Sequence, residues 1–154
     1  MVKMTDNWYK DQLKEQDVRL TDGRELILSV LADSQSEHLT VEDIYMQAHK
    51  ENPSIGMATV YRTVDLLVKH GIAQKFEFGE GKARYELVPK PGDPGHHHHL
   101  ICKVCKKIVN YDDFLQEEKA FLSKVEKVQF EQYNFELVEH SIQFYGYCRD
   151  CEAA

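Results

Sequence analysis

A chain of 154 residues with 42% hydrophobic content fits one domain or two small ones and is apolar enough to bury a core. No apolar run reaches the length of a membrane span, and Met1-Val2-Lys3-Met4-Thr5-Asp6-Asn7-Trp8 lacks the apolar stretch of a secretory signal, so a cytoplasmic, reducing location is expected. The formal net charge of −7 argues against nucleic-acid binding as a bulk property but leaves room for a local basic face.

In chain order, residues 5–19 are polar and charged, with Trp8, Tyr9, Leu13 and Val18 as apolar anchors of a short amphipathic helix. Thr21 N-caps a second helix, in which Leu26, Ile27, Val30 and Leu31 have the spacing of a buried face. Thr40 caps a third, with Asp43 in its acidic first turn, Val41, Ile44, Tyr45 and Ala48 on one side, and Asn52-Pro53-Ser54 at its end. A fourth spans 57–70 and stops at Gly71. Its buried stripe is Val60, Val64, Leu67 and Val68; its opposite face carries Ala58, Arg62, Asp65 and Lys69, with Thr59 and Tyr61 at the margin.

After Gly71 the period changes to two. Ile72, Gln74, Phe76 and Phe78 alternate with Ala73, Lys75 and Glu77, Gly79-Glu80-Gly81 turns the chain, and 82–87 returns as a second strand. Helix-turn-helix followed by a hairpin is the order of a winged helix. Candidate contacts to double-stranded DNA are Ala58, Thr59, Tyr61 and Arg62 on the helix and Lys75, Lys82 and Arg84 on the wing, since Arg and Tyr suit phosphate and base edges. A merely solvated helix edge is the plainer reading of Tyr61-Arg62, and the complete order of elements weighs against it.

The stretch 88–95 holds three of the four prolines and two glycines and excludes regular structure. The expected organisation is a winged-helix DNA-binding domain at 1–88, a hinge at 89–95 and a metal-binding dimerisation domain at 96–154. In the last of these, 96–101 and 107–111 read as strands. Asp112-Asp113 caps a helix with apolar positions Phe114, Leu115, Phe121, Leu122, Val125 and Val128, and 135–147 reads as a long strand. So thin a core calls for a zinc staple, and its surplus apolar surface for a second copy of the chain.

All four cysteines fall in two pairs, Cys102-x-x-Cys105 and Cys148-x-x-Cys151, the pattern of a tetrahedral zinc site; disulfides are the alternative that a reducing compartment disfavours. Just upstream stand His96, His97, His98 and His99. On a strand, His97 and His99 share one face and His96 and His98 the other, so one strand serves two metal sites back to back. That is more imidazole than a structural zinc needs, and it points to metal sensing. His49 and His70 read as helix C-terminal residues near the negative end of the dipole.

The segments His38-Leu39-Thr40-Val41-Glu42-Asp43-Ile44-Tyr45, Ala58-Thr59-Val60-Tyr61-Arg62-Thr63, Tyr85-Glu86-Leu87, His96 through Cys105, and His140-Ser141 with Tyr145-Gly146-Tyr147-Cys148-x-x-Cys151 resemble, in order, the ferric uptake regulator family of bacterial metal-dependent repressors. The resemblance implies an α+β homodimer, with an N-terminal winged helix-turn-helix domain followed by a small α/β dimerisation domain with a four-cysteine zinc site. It implies structural zinc at Cys102, Cys105, Cys148 and Cys151, a regulatory ion at His38, Glu86, His97 and His99, and a further metal site at His96, His98, Glu117 and His140. Many relatives carry aspartate where His98 stands; imidazole there makes the further site softer and suits zinc better than manganese.

Among the branches of that family, the peroxide sensors usually carry aspartates where this chain has Glu86 and Asn110, and the zinc sensors often add a cysteine that is not spare here. An iron-responsive repressor using Fe2+ leads, a zinc-uptake regulator using Zn2+ comes second and a peroxide sensor third, with Mn2+ as another candidate ion. A zinc hydrolase would need an open metal position beside a general base, commonly His-Glu-x-x-His, which is absent, so no enzyme is expected. A zinc-stapled interaction module without DNA binding is the remaining rival.

Overall fold

The computed structural model describes residues 7–34, 37–91, 97–138 and 140–152, and the chain divides into two compact units, residues 1–95 and 96–154. No helix among the described residues is long and apolar enough to cross a membrane.

The first unit is a winged helix. Helix α1 spans Asn7–Glu15 and buries Tyr9 and Leu13, one turn apart on one face. Helix α2 spans Asp22–Asp33; Thr21 accepts from the Arg24 amide, and Ile27, Leu28, Val30 and Leu31 are buried. Leu26, expected in that face, is only half-buried and Leu28 takes its place, because α2 is covered from two sides by the helices that follow. Helix α3, Val41–Glu51, opens on a capping box: the Asp43 amide donates to Thr40 Oγ1 (3.2 Å), and the Thr40 amide donates to Asp43 Oδ2 (3.0 Å).

Helix α4, Met57–Lys69, buries Val60, Thr63, Val64 and Leu67. Thr63 is tolerated inside because its hydroxyl donates to the Thr59 carbonyl (2.7 Å). The helix stops where Gly71 takes a φ of +68°, which costs glycine nothing. Buried aliphatics from α1 to α4 form one cluster with Tyr85 and Leu87, and truncating any of its leucines to alanine costs about 2–5 kcal/mol.

Strands β1 (Ala73–Glu77) and β2 (Ala83–Leu87) pair antiparallel, with Phe76 opposite Arg84 and Gln74 opposite Glu86. An isolated antiparallel bridge, Leu39 with Tyr85, sets a third segment beside β2: each amide donates to the other's carbonyl, at 3.2 and 2.8 Å. That bridge ties the loop entering α3 to the wing.

The second unit is a three-stranded sheet in the order β4-β3-β5, with β3 (His98–Cys102) in the centre. Strand β4 (Ile108–Tyr111) pairs antiparallel to it, while β5 (Gln143–Gly146) pairs parallel, with His99 opposite Gln143 and Cys102 opposite Gly146. A parallel pair requires a crossover, which contains α5 (Leu115–Tyr133). A short α6 (Arg149–Glu152) closes the described chain.

Three expectations for this unit are corrected. The 135–147 strand shrinks to Gln143–Gly146, because β3 offers partners only from His98 onward and residues before 142 run past its start. Asp112-Asp113 does not cap α5: the cap position is Phe114, left-handed at φ 62°, with no side-chain bond. The apolar positions of α5 are not buried by one chain, Phe114, Phe121 and Val128 being 69%, 64% and 45% exposed. A helix with that much apolar surface needs a cover.

Candidate metal centres and nucleic-acid face

Cys102 ends β3 and Cys105 closes the turn after it, in which the Lys106 amide donates to the Cys102 carbonyl (3.0 Å) and Lys106 takes a φ of +63°. A second tight turn, where the Cys151 amide donates to the Cys148 carbonyl (2.9 Å), brings the other pair over the same point. The four thiols are free, and their sulfurs all lie within 4.8 Å of one another, with Cys105 and Cys148 3.7 Å apart. Four thiolates about 2.3 Å from one zinc ion stand about 3.8 Å apart, so the donor set and spacing fit zinc.

The metal-free thiols differ sharply. Amide hydrogen bonds from Cys148 and Cys105 pull the Cys102 thiol down from 9.0 to about 6, the Cys148 amide lying 3.4 Å from its sulfur. Cys151, hydrogen-bonded to the Cys148 and Cys105 sulfurs, is pushed up to about 12. Four sulfurs so close do not share several negative charges without a cation between them.

In the first unit, the Leu39–Tyr85 bridge sets His38 beside Glu86. Both are buried, with His38 Nε2 3.0 Å from Glu86 Oε2. The imidazole stands edge-on to the Phe76 and Phe78 rings, at centroid distances of 5.8 and 5.7 Å. The Nε2–Oε2 separation suits a hydrogen bond, and it also suits two ligands of one ion, which stand about 3.0–3.4 Å apart at bond lengths near 2.1 Å.

In the second unit, His97 and His99 have rings 5.0 Å apart, edge to face. His98 points the other way, as strand alternation requires, and meets a carboxylate. That carboxylate belongs to Glu118, not Glu117. One Glu118 oxygen contacts His98 Nε2, and the other lies 3.0 Å from His140 Nε2. Glu117 is exposed, because one residue along a helix turns the side chain by about 100°. His96 lies outside the described residues. Glu118 was missed because the rotation of α5 against the sheet leaves no mark on local sequence.

The residues expected to meet DNA differ in their exposure. Ala58, Tyr61 and Arg62 are exposed on α4 and Thr59 is half-buried, while Lys75 and Lys82 are exposed on the wing. Arg84 is not available there. Its guanidinium grips both oxygens of Glu80 and donates to the His38 carbonyl (2.8 Å), and the Glu80 bond raises its pKa further. His70 caps α4, its Nδ1 2.9 Å from Gln16 Oε1, and His49 lies against Tyr45 at 5.1 Å.

A winged helix followed by a small α/β unit with a four-cysteine cluster fits the class of metal-dependent regulators. The sequence profile of the Ferric uptake regulator family matches residues 15–145, and the chain belongs to that family of metal-responsive transcriptional regulators, which are not enzymes. It is 35% identical over 142 residues to the ferric uptake regulation protein of Bacillus subtilis, covering 92% of this chain and 91% of that protein. The crystal structure of the Vibrio cholerae ferric uptake regulator is similar at 30% identity and a TM-score of 0.69, over 90% of this chain and 98% of that one. A zinc-bound manganese uptake regulator is similar at 31% identity and a TM-score of 0.67, over 91% of this chain and 98% of that one.

Proposed function

We propose that this chain is an iron-responsive repressor that acts in the cytoplasm as a homodimer on double-stranded operator DNA. Residues 1–88 are the DNA-binding domain, 89–95 the hinge and 96–154 the dimerisation domain. Zinc is structural at Cys102, Cys105, Cys148 and Cys151. His38 and Glu86 in one domain and His97 and His99 in the other hold the regulatory ion. That ion supplies a cross-link, and the spacing of two recognition helices in the dimer then matches adjacent operator half-sites.

The observation that carries this reading is the His38–Glu86 pair. A buried imidazole set against a buried carboxylate on the wing's second strand is a costly arrangement unless the two share a cation or a proton. Further support comes from the similarity to ferric uptake regulation proteins and from the exposed Tyr61-Arg62 on α4. The exposed apolar face of α5 suits a second copy. A third ion is assigned to His98, Glu118 and His140.

A zinc-uptake regulator is the second reading, favoured by one observation: His98, an imidazole, lies against Glu118 in the further site. The test is fluorescence anisotropy of labelled promoter DNA, with the cysteine zinc retained and free Fe2+, Mn2+ or Zn2+ held by metal buffers without oxygen. Tight binding induced by Fe2+ at cytosolic levels is expected. Response to trace Zn2+ with Fe2+ inert moves the assignment to zinc. Arg62→Ala is expected to abolish binding at unchanged dimer mass; retained binding argues for an interaction module instead.

A further inference from the structure

On a strand, residues two apart share a face, so Arg84 and Glu86 point the same way from β2, and Phe76, directly opposite Arg84, joins them. This face of the hairpin holds His38 at several points. Phe76 and Phe78 wall its ring, Glu86 meets Nε2, and Arg84 Nη1 donates to its carbonyl at 2.8 Å. The other edge of the same guanidinium meets Glu80, with Nη2 3.2 Å from one carboxylate oxygen and Nε on the other.

Glu80 is the middle of the wing turn, between Gly79 at φ 76° and Gly81 at φ 75°, and Lys82 follows at once. The Arg84 and Glu80 side chains are 21% and 12% exposed, so solvent screens their pairing far less than it screens a surface ion pair. A planar guanidinium makes a two-pronged carboxylate grip and a third bond at once; a lysine ammonium does not.

We propose that Arg84 is a positioning residue that ties the wing turn to the loop carrying His38, and so passes occupancy of the ion site to the wing. This rests on the reading that His38 and Glu86 bind a regulatory ion. Arg84 bonds the His38 carbonyl and Glu80, not the His38 ring or Glu86. It fixes the direction of the His38 carbonyl, and hence of its side chain, against the turn that places Lys82. A shift of His38 on binding an ion is then met by a shift of Glu80 in the turn. Loss of the Glu80 grip leaves the ion ligands in place and cuts the transmission.

The test uses the full chain with its cysteine zinc in place, Co2+ as the probe ion and anisotropy of promoter DNA. Glu80→Gln preserves side-chain size and removes the charge, so its melting midpoint is expected within about 3 °C of the wild type. The Co2+ affinity of the free protein is expected to stay within about twofold, while the ion-induced gain in DNA affinity falls about five- to tenfold. By reciprocity, Co2+ affinity of the DNA-bound protein falls by the same factor, which a purely structural role does not produce. Arg84→Gln is expected to lose more than Arg84→Lys, which keeps the charge. An unchanged ion-induced gain in both Glu80→Gln and Arg84→Gln overturns the inference, as does an equal loss with and without Co2+. A wild-type protein with no ion-induced gain overturns the regulatory reading itself, and the inference with it; the unaltered protein reports that outcome separately.

Discussion

Nε2 of His38 lies 3.0 Å from a carboxylate oxygen of Glu86, with 2% and 4% of the two side chains exposed. The Leu39–Tyr85 bridge makes this pair, since it brings the residue before Leu39 alongside the residue after Tyr85. Two groups so deeply buried hold their positions through the surrounding packing. As ligands of the proposed regulatory ion they would be preorganised, with little order to be gained on binding.

In the proposed regulatory set, His38→Ala removes a nitrogen donor and Glu86→Gln exchanges a carboxylate for a weaker, neutral amide oxygen. Changes in groups that merely support metal ligands cost about 10–100-fold in affinity, so each substitution is expected to weaken the labile ion by about 100-fold or more. The cysteine zinc is expected to remain at full stoichiometry. Competition titration with Co2+ and elemental analysis measure the two quantities. Unaltered Co2+ affinity in His38→Ala would remove it from the ligand set.

The further site distinguishes two adjacent acids. Glu118 stands between His98 and His140, while Glu117 is exposed. Glu118→Gln is expected to weaken the further ion about tenfold or more, and Glu117→Gln to leave it within about twofold. Zn2+ titration followed by calorimetry, with the regulatory site already filled, reads both. The reverse ranking would restore Glu117 and require α5 to turn on its axis.

With zinc removed under reducing conditions, the thiols are expected to react in a set order. Thiolate is the nucleophile, so Cys102, pulled down to about 6, is alkylated first near neutral pH and Cys151, pushed up to about 12, last. Labelling of Cys102 slows as the pH falls through about 6. The linkage signs are opposite. Cys102 contributes stability that is present above its unfolded pKa of 9.0 and lost as the pH falls through about 6. Cys151 contributes below 9.0 and loses its contribution as the pH rises through about 12. Mass spectrometry of iodoacetamide-labelled peptides gives the order; equal rates at all four cysteines would discard it.

Local chemistry made several features legible in the sequence. The Thr21 and Thr40 caps, the stop at Gly71 and the glycine turn of the wing depend on neighbours within a few residues, and each stands where spacing puts it. The two Cys-x-x-Cys turns are local in the same sense, and only their meeting is tertiary. Strand alternation likewise separated His98 from His97 and His99 without any knowledge of the fold.

What failed was whatever depends on a distant partner. Residues 135–147 have the composition of a strand, but a strand extends only as far as its neighbour, and β3 begins at His98. Glu117 and Glu118 are equivalent acids in a sequence, and the rotation of α5 against the sheet chose between them. Arg84 has the marks of a wing cation for DNA, but Glu80 and the His38 carbonyl, on either side of it in space, claim its guanidinium. The four helices of the first unit, the Thr21 and Thr40 caps and the donor types were legible in the sequence, because these are set by neighbours a few bonds or one helical turn away. Which side chains meet could not be read there, because a hydrogen bond or metal ligand is selected over a few ångströms of space, whatever the distance along the chain.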